Sequence, residues 1–262
     1  MERLTAKQNE KIKHAVSVRD SARVRRETGL FFLEGARLCG DAAVNSVRVF
    51  RAFVTDTAME KYSVQVSEIL SKAEEGYVIS DDVAAKLSDT QSTQGIFCLC
   101  RTQENTAVAQ QINPQGKYIF LENVQDPGNL GTIIRTAEGA GATGIIMSKD
   151  TVDIYNPKTI RSTMGSLFRL PVCDDLSYTE TLSLLKDNGI ATYASVIDTD
   201  ACSVRDFDFP KNCAVVIGNE GNGLTNEEAS MCDKRITIKM SGNINSLNAA
   251  MAAGIILWEM TK

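Results

Sequence analysis

Five polar residues stand out in segments rich in glycine and apolar residues: Asn129, Arg135, Glu220, Ser246 and Asn248. Arg135 is the sharpest of them. It interrupts an apolar helix-like run, and a guanidinium offers a fork of donors with a pKa above roughly 12. Such a group stabilises negative charge growing on an oxygen, or holds a phosphate, and is a poor proton acceptor. Glu220 is a carboxylate among glycines 218, 221 and 223, which a plain turn does not require. Ser246 and Asn248 stand at the entrance of a helix, where they can cap it or face a ligand. A metal site is not in view. His14 is the only histidine, and the seven cysteines (39, 98, 100, 173, 202, 213 and 232) form no CxxC pair.

These residues belong to three junctions. "DPGNLGTIIRTAEGAG" (126–141) opens as a turn and becomes a helix. "GNEGNGLT" (218–225) follows the strand-like "AVVI", and "MSGNINSLNAA" (240–250) follows "ITIK". In open parallel sheets the ligand site lies where strands end and loops begin. Any one of these glycine-rich loops, taken alone, is a turn. The second is not a phosphate-cradling loop, because no Gly-Lys-Ser/Thr follows, and its spacing is wrong for a dinucleotide fingerprint.

The surrounding pattern supplies the strands. Residues 4–28 read as a basic helical region that Gly29 ends. "LFFLEGARLCGDAA" is a strand feeding a helix, "VRVFRAFV" (47–54) and "GYVIS" (76–80) are strands, helical stretches fall near 57–74 and 80–88, and "GIFCLC" (95–100) closes the alternation. This predicts a small α/β domain over 1–104. The aperiodic stretch 105–116 reads as a linker.

A second alternation fills 117–262. It runs through "KYIFLE", a helix at 130–139, "GIIMS", a helix opened by Asn156-Pro157, "FRLPV", "IATYASVI", "CAVVIG" and "RITIKM". Ser177/Glu180 and Thr225/Glu228 have capping-box spacing, and Ser246 opens the last helix. Strands apolar at consecutive positions must be covered on both faces. The fold class is therefore α/β, with a parallel sheet flanked by helices in the second half.

Composition bounds the rest. The chain has 262 residues and a net charge of −5, which excludes a protein basic all over. Yet residues 1–26 carry Arg3, Lys7, Lys11, Lys13, Arg19, Arg23, Arg25 and Arg26 against Glu2, Glu10 and Asp20. That is either a solvated helix face or a local grip for phosphates. No signal peptide is visible, the longest apolar run (249–258) is too short for a bilayer, and the cysteines read as thiols of a reducing compartment. A soluble cytoplasmic protein with no membrane partner is expected.

In this order and at these sites, the three junctions resemble the motifs of the SpoU/TrmH family of RNA ribose 2′-O-methyltransferases, within the SPOUT class. The first motif is similar to the stretch from Asn123 through "DPGNLGTIIRTA", the second to "GNEGNGL" and the third to "IKMSGNINSLNAA"; "RSTMGSLFRLPV" (161–172) is similar to the family's middle segment. Lys239 departs from it, standing where the family often has proline. Residues 1–104, with "GLFFLEGARL", resemble the family's substrate-binding module, similar to some RNA-binding ribosomal proteins.

The resemblance implies a deep trefoil knot in the C-terminal domain, S-adenosylmethionine as cofactor, no metal, and a homodimer through that domain. It carries over Gly218, Ile238 and Leu247 as cofactor contacts, together with Asn219 and Met240. Asn129, Arg135, Glu220, Ser246 and Asn248 match its polar active-site positions. Arg135 would stabilise charge on a ribose 2′-hydroxyl oxygen or position a phosphate. Asn129 would hold Arg135 or the ribose, Glu220 would orient the arginine or the nucleotide, and Ser246 and Asn248 would bond the acceptor. The implied substrate is RNA, with ribosomal RNA favoured over transfer RNA. An antibiotic-resistance methyltransferase, an RNA-binding protein that lost the chemistry, and a small-molecule enzyme on an ordinary nucleotide-binding sheet remain as alternatives.

Overall fold

The structure is a computed structural model that describes residues 1–102 and 112–262. It divides into two compact units: Met1–Gln103 with Tyr155–Phe168, and Glu104–Ile154 with Arg169–Lys262. Most of the expected linker, 105–111, lies outside the described residues.

The first unit is built on a five-stranded sheet. Its strands are β1 (Glu2–Leu4), β2 (Leu30–Glu34), β3 (Val49–Thr55), β4 (Glu75–Ile79) and β5 (Ile96–Arg101), in the order β1-β4-β3-β5-β2. Helices α1 (Glu10–Asp20) and α2 (Ala22–Thr28) replace the single helical region expected over 4–28. Ser21 explains the break, because its extended backbone closes α1 and its hydroxyl accepts from Val24 N to start α2. Gly29 ends α2 at φ 62°, as expected. Helices α3 (Ala36–Val44), α4 (Asp56–Lys61), α5 (Ser63–Lys72) and α6 (Asp81–Leu87) complete the alternation. The segment Tyr155–Phe168, with helix α8 (Pro157–Thr163), joins this unit: Phe31 stacks on Tyr155 at 4.7 Å and lies 6.4 Å from Phe168.

The second unit holds a seven-stranded, wholly parallel sheet. Its strands are β6 (Lys117–Leu121), β7 (Gly144–Ser148), β8 (Val172–Leu176), β9 (Ala191–Ser195), β10 (Cys202–Ser203), β11 (Cys213–Ile217) and β12 (Lys234–Thr237), ordered β10-β12-β9-β11-β6-β7-β8. Every residue of β7 and β11 is buried, as consecutive apolar positions require. On one face Phe120, Ile146 and Val216 form a core with α9 (Tyr178–Asp187) and α10 (Asn226–Met231) through Leu182, Leu185 and Ala229. Helices α7 (Pro127–Ala140) and α11 (Ala249–Met260) pack on each other, α7 also against β7 and α11 against β11.

Three boundaries differ from expectation. Helix α7 starts at Pro127 rather than near residue 130, because Asp126 caps it by accepting from Asn129 N and Pro127 takes the first turn. The strand expected at "FRLPV" begins only at Val172, after Pro171. The last helix is opened by Asn248 rather than Ser246: the Asn248 side chain accepts from Ala250 N and Met251 N. Among the described residues no helix is long and apolar enough to cross a membrane.

Candidate active site at the carboxyl edge of the parallel sheet

Strands β6 and β11 are neighbours, with Leu121 opposite Ile217, so the first two junctions leave the sheet side by side. Beyond β6 the chain turns at Asn123, which has φ 55°. This left-handed conformation is one that asparagine tolerates better than most side chains. Ser148 Oγ accepts from Asn123 N at 3.0 Å, tying the turn to the end of β7.

Beyond β11 the glycine loop folds back on itself. Gly223 N donates to the Asn219 carbonyl at 2.8 Å, and Asn219 Oδ1 accepts from Gly221 N and Asn222 N at 2.9 and 3.2 Å. Gly218 is where the two limbs meet: a Cβ there would lie 2.4 Å from the Gly223 carbonyl carbon and 2.6 Å from Leu224 N. Both obstacles are main chain and cannot swing aside. Gly218→Ala is therefore expected to force the two limbs of the loop apart and lower the melting temperature, which thermal melts against the wild type check.

Glu220 joins the two junctions. Its Oε2 accepts from Gln125 N at 3.0 Å, and its Oε1 accepts from Asp126 N at 2.9 Å and Asn129 Nδ2 at 3.0 Å. Partial burial alone would raise the Glu220 pKa, but these donors outweigh it and hold the carboxyl below its usual range. A second strut runs from Asn219 Nδ2 to the Asn123 carbonyl at 2.9 Å. The third junction then closes the chain of contacts: Asn248 Nδ2 donates to Asn129 Oδ1 at 2.9 Å while Asn248 Oδ1 caps α11.

The structure thus brings Asn129, Asn219, Glu220 and Asn248 into one network. Their side chains brace the three loops against one another. Glu220 bonds the turn before α7, not Arg135, and Asn129 bonds Glu220 and Asn248, not Arg135. Helical geometry explains the second point, because six residues at 3.6 per turn leave Asn129 and Arg135 about 120° apart around α7. Arg135 lies on an exposed stripe with Thr132 and Gly139, and has no hydrogen-bond or ion-pair partner among the described residues. Ser246 is exposed and likewise without a hydrogen bond among them. Ile238, Met240 and Leu247 are half-buried.

Sequence reasoning missed Gln125, whose amide meets Glu220 and whose side chain donates to Asn123 Oδ1 and to the Asp150 carbonyl, both at 2.6 Å. It also missed the loop after β9. That strand lies between β12 and β11, so the loop 196–200 leaves the same edge of the sheet, with Ile197 76% exposed. No glycine marks this loop, and its two charges, Asp198 and Asp200, belong to none of the three junctions; only the strand order reveals it.

In the first unit the basic stretch is largely occupied. Arg3, Lys7, Lys11, Lys13, Arg19 and Arg23 pair with Asp56, Asp82, Glu2, Glu10, Asp20 and Glu27 at 2.6 to 2.9 Å. Arg25 is buried and donates to the Val18 and Arg19 carbonyls. Only Arg26 of the eight has no partner among the described residues. The solvated-face reading of this stretch gains from these pairs, although exposed ion pairs are weak enough for phosphates to displace.

Known proteins match both units. The chain is 28% identical over 262 residues to the 23S rRNA (guanosine(2553)-2′-O)-methyltransferase RlmP of Bacillus subtilis, covering 99% of each chain. It is 39% identical over 148 residues to the 23S rRNA (uridine(2479)-2′-O)-methyltransferase of Streptomyces viridochromogenes, covering 55% of this chain and 52% of that one. The AdoMet-bound rRNA methyltransferase of Sinorhizobium meliloti superposes with a TM-score of 0.89 at 27% identity, over 99% of this chain and 97% of that chain. The SpoU methyltransferase AviRb of S. viridochromogenes, in complex with AdoMet, gives 0.86 at 26% identity over 97% of both. Residues 9–98 match the MRM3-like substrate binding domain. Residues 116–258 match the SpoU rRNA Methylase family, and the chain belongs to that family.

Proposed function

We propose that this protein transfers a methyl group from S-adenosylmethionine to a ribose 2′-hydroxyl of ribosomal RNA, the large-subunit RNA in particular. The observation that carries this reading is the bonded convergence of the three junctions through Glu220, Asn129 and Asn248, with the Arg135 guanidinium, unpaired among the described residues, on the same helix as Asn129. Two relatives named as 23S rRNA 2′-O-methyltransferases support the substrate class over transfer RNA. A role in antibiotic resistance stays a narrower version of the same chemistry.

The residues at this edge fit the cofactor. The glycine loop and the third junction offer main-chain groups with open space beside Gly223 and Gly242, and Ile238 and Leu247 supply half-buried aliphatic surface. Those side chains, with the backbone at Gly218, Asn219 and Met240, would hold it. When bound, S-adenosylmethionine supplies a methyl group already activated on its sulfonium. The protein's task is the nucleophile, since a ribose hydroxyl is scarcely ionised at neutral pH. Arg135 donates to the oxygen on which charge grows, or to the adjacent phosphate. Ser246, without a hydrogen bond among the described residues, bonds the acceptor ribose. Asn129, Glu220 and Asn248 keep the loops in register, which contributes to rate by fixing the angle of attack.

The same reading includes a deep trefoil knot in residues 117–262, a cytoplasmic location, and a division into an RNA-binding domain over 1–104 and a catalytic one after the linker. The interleaved order β12-β9-β11-β6 supports the knot. It also includes a homodimer. On α11, Met251, Ile255 and Trp258 are 61, 37 and 72% exposed at helical spacing, an apolar stripe that a second copy would cover. Thr136 of α7 faces Gly254 of α11, so this stripe borders the one carrying Arg135. Trp258→Glu is expected to yield monomers. Trp258 is the only tryptophan, and its emission should shift to the red on dilution of the wild type, with light scattering reading the mass.

Mapping alkali-resistant 2′-O-methyl positions in total RNA of a deletion strain tests the function. One ribosomal position should lose its methyl group and regain it on complementation. An unchanged map contradicts the proposal.

A further inference from the structure

The end of β7 and the loop after it, residues 148–152, take no part in the chemistry above, yet they are bonded to the turn that leaves β6. Thr151 Oγ1 donates to the Leu121 carbonyl at 3.2 Å, Ser148 Oγ accepts from Asn123 N at 3.0 Å, and Val152 N donates to the Val124 carbonyl at 2.9 Å. A further bond comes from a side chain of the turn itself. Gln125 Nε2 donates to the Asp150 carbonyl and to Asn123 Oδ1, both at 2.6 Å. We propose that Gln125 is a positioning residue for methyl transfer: its side chain fixes the turn that enters α7 against the loop after β7, and so sets where α7 presents Arg135. This rests on the function proposed above.

The partners settle which way the amide faces. A main-chain carbonyl only accepts, so the end of Gln125 against Asp150 is the NH2 group, which has one hydrogen for each of its two acceptors. The bonds from Ser148, Thr151 and Val152 hold the inner part of the turn, where Val124 is fully buried. Gln125 holds the outer part, at solvent, one residue before the cap of α7.

The main chain of the same residue begins the clamp on the glycine loop. Gln125 N donates to Glu220 Oε2 at 3.0 Å, Asp126 N donates to Glu220 Oε1 at 2.9 Å, and Asp126 Oδ1 caps α7 by accepting from Asn129 N at 2.8 Å. Gln125 thus bonds the glycine loop through its nitrogen and the loop after β7 through its side chain, at the point where the chain enters the helix that carries Arg135. A rotation of that first turn carries the guanidinium with it.

Stability and rate separate at such a position. Gln125 is exposed, so water replaces the bonds lost on truncation and global stability changes little. Alignment has no such substitute, because misplacing a catalytic group by about an ångström costs up to on the order of a hundredfold in rate.

The test compares wild type, Gln125→Ala and Gln125→Glu, the last of which keeps the shape of the side chain and removes its donors. Single-turnover transfer of labelled methyl to ribosomal RNA, with RNA and S-adenosylmethionine both saturating, should slow about tenfold in both variants. In Gln125→Ala the melting temperature and the affinities for RNA and cofactor should stay near the wild type, because the main-chain clamp is intact. A wild-type rate in either variant overturns the proposal. So does a loss in Gln125→Ala that appears only as weaker RNA binding, which makes Gln125 a substrate contact, or one matched by a fall in melting temperature, which makes its role one of stability alone. Hydrogen exchange gives a readout that needs no activity: the Thr151 and Val152 amides, bonded to the Ser148 and Val124 carbonyls, should exchange faster in both variants. Unchanged exchange overturns the coupling to the loop. Faster exchange in the variants, with no methyl transfer even by the wild type, leaves that coupling standing and removes the proposed function instead.

Discussion

Arg135→Ala is expected to fold and bind S-adenosylmethionine like the wild type while methyl transfer falls by on the order of a hundredfold or more, as when a charge-stabilising donor is removed. The structure separates these effects. Arg135 is exposed on α7 and has no partner among the described residues, so its truncation leaves no buried group unsatisfied. A Lys substitution retains the charge but loses the planar fork, and should recover only part of the rate. Melting temperature, calorimetric affinity and single-turnover rate, measured on the same samples, check the pattern. A large loss of stability or of cofactor affinity would instead place the guanidinium in the fold.

Glu220→Ala should behave in the opposite way. One carboxylate satisfies Gln125 N, Asp126 N and Asn129 Nδ2, and its removal frees all three at once. Each lost charge-assisted bond is worth about 1 to 3 kcal/mol when buried, and Glu220 is exposed enough that water recovers part of it. The expected result is a lower melting temperature together with at least about tenfold weaker cofactor binding and a greater loss of rate, because the turn before α7 and the glycine loop lose their common anchor. Glu220→Gln, with one carbonyl oxygen in place of two carboxylate oxygens, should fall between. Because the donors hold the Glu220 carboxyl below its usual range, its stabilisation is present above about pH 4.5 and lost as pH falls through the folded value. Thermal melts of wild type and Glu220→Gln across pH 3 to 7 should therefore converge at the acid end.

Much of this site could be read from the chain before any fold was known. Glycine and asparagine at strand ends announce tight turns, and the capping boxes at Ser177/Glu180 and Thr225/Glu228 form as their spacing required. Bond partners were less legible. Asn129 and Glu220 are 91 positions apart, and which atom each meets depends on strand order, set by the whole sheet rather than by local pattern. The same holds for the loop 196–200, which no motif marks until β9 is placed between β12 and β11. Asp126 was misread as turn rather than cap because "DPGN" suits both, and the decision came from Asn129 N finding the aspartate oxygen. Glu122 shows the limit most clearly: in sequence it is the one acid at the end of "KYIFLE", and its burial follows only from what packs over it.

Incubation of the purified protein with deproteinised ribosomal RNA and methyl-labelled S-adenosylmethionine, followed by alkaline hydrolysis, tests the chemistry most directly. A 2′-O-methyl group removes the nucleophile that alkali needs, so label should remain in an alkali-resistant dinucleotide with the wild type and largely vanish with Arg135→Ala. Label released in mononucleotides, which marks methylation of a base, or equal incorporation by the two proteins, would contradict it.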